Sequence, residues 1–563
     1  MGKNLLNIFI LLLYCLVDKS IAQQHAIVTY KYYFNGSEMT DMPRLELNYS
    51  AGIASLYQLT DNPAKQYEEY SWLDYNERKA YQSVICKDKK QYTVITPFDD
   101  YPKPEITDEY ETILGYNCRK AKVVIRSNNI EIWFIENTEL KGTPILNQGT
   151  ELGLVLKIIR NGNFAVSAIS IDINKANEIS FPAELGEIVD LPAYREKLTE
   201  NNYTSIQVFA NERINYDKSL PAADFNQENI TLRCSNGTVI LKKVKLPENQ
   251  WDHTIIAELS TFSDGDAYDR TGSLFVIPAE NKLSFIDALQ KGLNDIPGYY
   301  SNNGKTYPGV IMTGNYSPPI ELMRFITPFG IGKFNSQVTV KGIEWEDSVT
   351  YKQDVTDLAS ALQGEVWIGA FIGNYDKGGH IVSLKLKYYP NDLNTKDIKQ
   401  KKFWIQPVIN TVNIMEMSGQ EYGTMFESDT LTADADIPAG LKSLKLRYIS
   451  TGHGGWDGGD EFNQKLNEIF IDGSQVFSYI PWRTDCGMFR KFNPASGNFA
   501  NGMSSSDFSR SGWCPGSISI PVDILLTGLS PGKHTIGVYI PMGKPEGNSF
   551  SSWNVSAVLV GEY

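Results

Sequence analysis

Apolar and polar residues alternate along most of the chain. Val382-Leu384-Leu386-Tyr388, Leu444-Leu446-Tyr448, Ile536-Val538-Ile540 and Trp553-Val555-Ala557-Leu559 each put every second side chain on one face. Period two with polar partners predicts half-buried antiparallel strands, and hence sandwiches. Helical spacing is scarce, with Ser284 to Gly292 and Val355 to Leu362 as the best short candidates. The pattern therefore predicts an almost all-β protein. Trp72, Trp133 and Trp404 sit in alternating runs and are expected in its core. The pattern weakens between Tyr203 and Asn229, around Leu220-Pro221-Ala222-Ala223, and again at Pro390-Asn391-Asp392-Leu393-Asn394-Thr395. These breaks predict a β-rich N-terminal domain over 23–215, a middle domain over 216–390 and a C-terminal domain over 391–563.

Residues 1–22 read differently. Lys3 precedes an apolar run from Leu5 to Val17, and Ser20-Ile21-Ala22 supplies small residues, so a secretory leader cleaved near Ala22 is expected. No later apolar run is long enough to span a bilayer. Export permits disulfides. The economical pairing of the cysteines beyond the leader is Cys86 with Cys118 and Cys486 with Cys514, leaving Cys234 free. The net charge of -14 leaves no basic surplus for phosphates, which argues against a nucleic-acid partner.

The histidines (His25, His253, His380, His453 and His534) are scattered, with no His-x-His or His-Glu-x-x-His pair, so no metal is expected. A Gly-x-Ser-x-Gly elbow is also missing. Carboxylates are the remaining chemistry. Two glycine-punctuated loops concentrate them beside an aromatic residue. One is Ser263-Asp264-Gly265-Asp266-Ala267-Tyr268-Asp269-Arg270; the other is His453-Gly454-Gly455-Trp456-Asp457-Gly458-Gly459-Asp460-Glu461. Glycine lets such loops turn sharply beside a ligand, aromatic faces stack on sugar rings, and carboxylates bond to hydroxyls and amides.

Further motifs accompany these loops: Arg324-Phe325-Ile326-Thr327-Pro328-Phe329, Asp354-Val355-Thr356-Asp357-Leu358, Ile449-Ser450-Thr451-Gly452-His453-Gly454 and Arg510-Ser511-Gly512-Trp513-Cys514-Pro515-Gly516. In this order the chain resembles the peptide-N-glycosidase F family over roughly residues 230 to 563, with the N-terminal domain outside the resemblance. The resemblance implies two adjacent jelly-roll-like antiparallel β-sandwiches. It implies a secreted or periplasmic bacterial hydrolase, monomeric and free of cofactors, that acts on N-glycosylated proteins and peptides. Such an enzyme cleaves the amide between the innermost N-acetylglucosamine and asparagine, leaving aspartate. Asp269, Glu461 and Arg510 are then the expected catalytic residues, and Tyr268, Arg270, His453 and Trp456 the expected substrate-binding ones. Asp269 would be the main acid-base group, and Arg510 would keep Glu461 ionised.

The sequence also departs from the family. A third family acid aligns with Phe371, and the nearest acids are Glu365 and Asp376. A neighbouring tryptophan is replaced by Gly373. Gly459 and Asn463 replace cysteines flanking the glutamate, so that loop is expected to lack its staple. These losses motivate the alternative of a non-catalytic carbohydrate-binding or adhesion protein on the same fold. Retention of Asp269, Glu461 and Arg510 together argues against it.

Overall fold

The computed structural model describes residues 25–59, 68–173, 184–227, 229–248, 253–278, 283–375, 377–390, 402–454, 459–543 and 550–563. The expected leader and Trp456 lie outside these residues, as does Asp376. The chain divides into two units, residues 1–202 and 203–563.

Among the described residues of the first unit thirteen strands join in one sheet, antiparallel except where Glu187–Ile188 runs parallel to Gln91–Pro97. Trp72 and Trp133 are buried, as their alternating runs predict. A helix not anticipated from the sequence, Leu191–Asn201, starts where the Asp190 carboxylate accepts the Ala193 amide (2.8 Å). Its Tyr194 packs beside Val84, Cys86 and Val94. The expected Cys86–Cys118 disulfide is not formed, and both are buried free thiols, as is Cys234. Cys86 follows the strand Lys79–Ile85, Cys118 lies in Tyr116–Ile125, and seven strands separate these two within the sheet. A bridge needs Cα atoms within about 7 Å, a condition that closeness in sequence does not secure.

Cys486 and Cys514 are bonded, as expected. Under denaturing conditions without reductant, Cys86, Cys118 and Cys234 should therefore alkylate while Cys486 and Cys514 stay protected, which peptide mapping checks. Replacing both bonded cysteines by serine should cost about 3.6 kcal/mol in urea unfolding, the chain-entropy value for a loop of this length.

The second unit holds two sandwiches of antiparallel strands. In the first, the sheet of Thr204–Asn215, Gly379–Pro390, His253–Ser263 and Val349–Asp354 accompanies one of six strands that includes Thr271–Ile277, Ile320–Ile326 and Gly364–Ile372. Leu259, Leu274, Leu322, Ile368 and Leu384 fill its core. In the second, two four-stranded sheets enclose Leu446, Tyr448, Ile469, Val538 and Trp553. Trp404 packs against that core partly buried. Thr204–Asn215 pairs with Gly379–Pro390 and so belongs to the second unit. Of the two expected helices, Phe285–Lys291 forms behind a Ser284 capping box, while Thr356–Ala361 winds as a tighter 3-10 turn.

A buried ion pair joins the sandwiches. Glu321 and Arg324 are three residues apart on one strand, a spacing that normally points side chains to opposite faces. A bulge places Leu322 between the pairs Glu321–Phe275 and Met323–Leu274, restoring both side chains to one face. Arg324 Nε and Nη2 donate to the Glu321 carboxylate (2.6 and 2.7 Å). Its Nη1 reaches across to Thr451 Oγ1 (2.9 Å) and the Asn554 carbonyl (3.0 Å) of the second sandwich.

Candidate active site

Asp269 lies in the loop between His253–Ser263 and Thr271–Ile277. Local hydrogen bonds define that loop. Ser263 Oγ donates to the Asp266 carbonyl (2.6 Å), and Asp266 Oδ1 accepts the Tyr268 amide (2.9 Å). Gly265 takes φ +129°, which a side chain rarely adopts. Asp266 is buried and holds the Arg270 Nε at 2.7 Å, with the Asn374 amide donating to the same carboxylate oxygen. Arg270 then stacks on the rings of Tyr268 and Tyr375, 5.1 and 4.9 Å from their centroids. Both rings are half exposed or more. Asp266, part of the acidic loop read from the sequence but given no role of its own there, thus anchors Arg270.

Glu461 comes from the second sandwich. Its loop is secured by the preceding Asp460, which is fully buried and accepts from Trp553 Nε1 (2.7 Å) and the Gly543 amide (3.0 Å). The staple expected to be missing is replaced, because Asn463 Nδ2 donates to the Gly459 carbonyl at 2.7 Å. The two positions that lack cysteines are joined by a hydrogen bond. Ser511 ties the loop further through its amide to the Glu461 carbonyl (3.0 Å) and its hydroxyl to the Asn463 carbonyl (3.0 Å).

Arg510 joins the two acids. Its Nε donates to Glu461 Oε1 at 3.0 Å, and its Nη2 lies 3.6 Å from Asp269 Oδ2. Ser505 fixes the guanidinium through its carbonyl (2.6 Å) and hydroxyl (3.0 Å). The rings of Phe462 and Trp513 cover it at 5.0 and 4.7 Å. Arg510 is 1 % exposed, whereas Asp269 and Glu461 keep 16 % and 21 % of their side-chain surface open. The cation is therefore sealed from solvent while the two carboxylates it pairs with stay partly open to it.

Burial pushes the Asp269 carboxyl up to about 7; the negative charge of Glu461 adds to the rise, and Arg510 and Arg270 oppose it. Glu461 is also raised by burial, against the pull of Arg510. At Glu461 desolvation outweighs the guanidinium in setting that direction. The two acids titrate as one coupled pair.

His453 lies behind this group, stacked on Trp513 with ring centroids 5.3 Å apart. Thr451 Oγ1 accepts from Arg324 and lies 2.7 Å from His453 Nε2, leaving its own proton for that nitrogen. Burial and the charges of Arg324 and Arg510 lower the imidazole to about 3, so it is neutral.

Phe371 is buried in a core cluster with Val239, Leu241 and Phe275, so the third acid does not come from that strand. Glu365 stands near the strand's far end, paired with Lys243 at 3.0 Å. Another carboxylate lies beside Gly373, the position of the replaced tryptophan. A Cβ on Gly373 would lie 3.5 Å from Glu416 Oε2, and Tyr375 and Tyr422 donate their hydroxyls to Glu416 Oε1. Burial raises this carboxyl, opposed by the two tyrosines and the charge of Arg270. Glu416 lies in the connection between Phe403–Asn410 and Leu431–Ile437 of the second sandwich, where no alternation or motif marked it.

The family description "Peptide-N-glycosidase F, N terminal" matches residues 205–388, and "Peptide-N-glycosidase F, C terminal" matches 421–560. A solved structure of PNGF-II in the C2 space group is 42 % identical, covering 96 % of this chain and 98 % of its own, with a TM-score of 0.86. The chain belongs to the peptide-N-glycosidase F family. PNGF-II in the P21 space group is likewise 42 % identical over 96 % of this chain and 99 % of its own, with a TM-score of 0.89. Residues 50–196 match the description "N-glycanase peptide, N-terminal domain", so likeness to the peptide-N-glycosidase F family extends beyond the sandwiches read from sequence. No curated protein matches the sequence.

Proposed function

We propose that this chain is a metal-independent hydrolase that cleaves the amide between asparagine and the innermost N-acetylglucosamine of N-glycoproteins and glycopeptides. The observation that carries the proposal is the pair Asp269 and Glu461, brought from different sandwiches to one buried Arg510. Hydrolysis adds water to the amide carbonyl carbon, breaks its bond to nitrogen and transfers a proton to that nitrogen. Aspartate and a glycosylamine result. A coupled pair holding one proton supplies both an acid and a base. Asp269, with its carboxyl near 7, holds the proton for the leaving nitrogen. Glu461 orients the attacking water, and Arg510 stabilises whichever acid is ionised.

The exposed rings of Tyr268 and Tyr375, with Arg270 between them and Glu416 behind Tyr375, receive the sugar. Rings stack on pyranose faces, and a carboxylate accepts from hydroxyls. His453 acts through Trp513 as a positioning residue. The reaction takes place outside the cytoplasm, a reading supported by the Cys486–Cys514 bond and the leader-like N-terminus. Among the described residues no helix is long and apolar enough to cross a membrane.

Capture of the fresh product with an amine-reactive label tests this reaction. A labelled glycosylamine carrying the whole glycan is expected, and an unlabelled sugar cut between the two core residues would refute it. In the same assay Glu416→Gln should raise KM about tenfold with kcat nearly unchanged, since one charge-assisted hydrogen bond to substrate is weakened. A fall in kcat alone would remove Glu416 from the binding side.

A further inference from the structure

The contacts around Arg510 continue past the two acids into a part of the surface with different chemistry. From Glu416 they run through Tyr375, Arg270 and Asp269 to Arg510, and polar groups dominate this stretch. Beyond Arg510 comes Phe462, whose ring its guanidinium covers at 5.0 Å. Phe462 opens a cavity of about 510 Å³. Trp482, Phe499, Met503 and Phe508 line it, with Asp507 the one charged side chain among the described residues of its wall. Phe462, Phe499 and Phe508 meet edge to face, with centroids 4.3 to 6.1 Å apart, and Met503 stands half exposed at the surface. Phe462 directly follows Glu461, and Ser509 on the cavity wall directly precedes Arg510. The apolar cavity is therefore one residue from each side of the ion pair.

We infer that this cavity binds an apolar side chain of the substrate's peptide, next to the glycosylated asparagine. The inference rests on the amidase function proposed above. A glycopeptide is chemically unlike on the two sides of the scissile bond, with hydroxyls on one and a polypeptide on the other. A pyranose subsite combines ring faces with hydrogen-bonding partners for the hydroxyls, which the Tyr375–Arg270–Glu416 side provides. The aromatic and thioether walls beyond Phe462 offer few such partners and gain most by excluding water from an apolar group. Because the bond to be cut must lie at Asp269, the polar end takes the glycan and the apolar end takes the peptide. The cleft consequently has a direction, and the enzyme reads the residues flanking the asparagine as well as the sugar.

The test compares glycopeptides with one glycan and either phenylalanine or serine beside the asparagine, using wild type, Met503→Asp and Phe499→Ala. Wild type should favour the phenylalanine peptide about tenfold in kcat/KM, a factor within reach of one partly buried aromatic side chain. Both variants should bring the ratio close to one. Met503 is half exposed, so its replacement leaves the core untouched, and thermal unfolding verifies that both variants fold. A wild-type ratio near one, or a ratio that survives in both folded variants, overturns the inference. A loss that instead grows with the number of sugars, whatever the peptide, assigns the cavity to the glycan and overturns it too. Failure of wild type to release glycan from either peptide refutes the amidase reading itself, and cleavage at equal rates refutes only the inference about the cavity.

Discussion

Asp269→Asn should lower kcat at least about a thousandfold while the protein stays folded, because asparagine keeps the shape but can neither hold nor release the proton. Glycan release from a defined glycopeptide, beside a circular-dichroism melt, checks both halves. Near-normal turnover would remove Asp269 from the chemistry. The same variant carries a pH signature. The Asp269 carboxyl is raised in the folded state to about 7, so the native protein binds that proton more tightly than the unfolded chain. The resulting stabilisation is complete below the unfolded pKa of about 4 and is lost as pH rises through the folded value. Wild type should therefore lose stability relative to Asp269→Asn between pH 4 and pH 7. Coupling to Glu461 leaves part of the slope in the variant. A stability difference that grows in the opposite direction would contradict the raised carboxyl.

The largest stability effect is expected at Arg324. Replacement by methionine leaves the Glu321 carboxylate fully buried with only the Ser273 hydroxyl (2.7 Å) among its described polar partners. It also removes the bonds to Thr451 and Asn554 that join the sandwiches. A buried pair broken on one side costs about 3–5 kcal/mol, most of it the desolvated charge left behind. Urea unfolding of Arg324→Met should show a loss of that size, and adding Glu321→Gln should recover part of it. Independent, additive effects of the two changes would mean that the pair is not coupled. Activity should fall as well, since Thr451 holds His453, His453 stacks on Trp513, and Trp513 covers Arg510.

Much of this arrangement was legible in the sequence because alternation registers burial directly. The run Trp553-Val555-Ala557-Leu559 gave a central strand of the second sandwich, and the glycine-punctuated loops at Asp269 and Glu461 lie where strands begin. What escaped depends on contacts between distant segments. Glu321 and Arg324 share a face only because of a bulge, which strict period two would deny. Glu416 reaches the cleft from a connecting segment without periodicity, so no pattern pointed to it. The Cys86–Cys118 pairing followed closeness in sequence, whereas a many-stranded sheet carries neighbours far apart. The helix Leu191–Asn201 did leave a signal, an aspartate at its N-cap with proline in its first turn, but its short polar sequence hid the period.

Mass spectrometry of the peptide product tests the amidase most directly. A glycopeptide incubated with the purified chain in EDTA should yield a peptide whose glycosylated asparagine has become aspartate, together with an intact glycan. A peptide still carrying one N-acetylglucosamine, or no conversion across several glycan types, would contradict it and leave a glycosidase or a binding protein in its place.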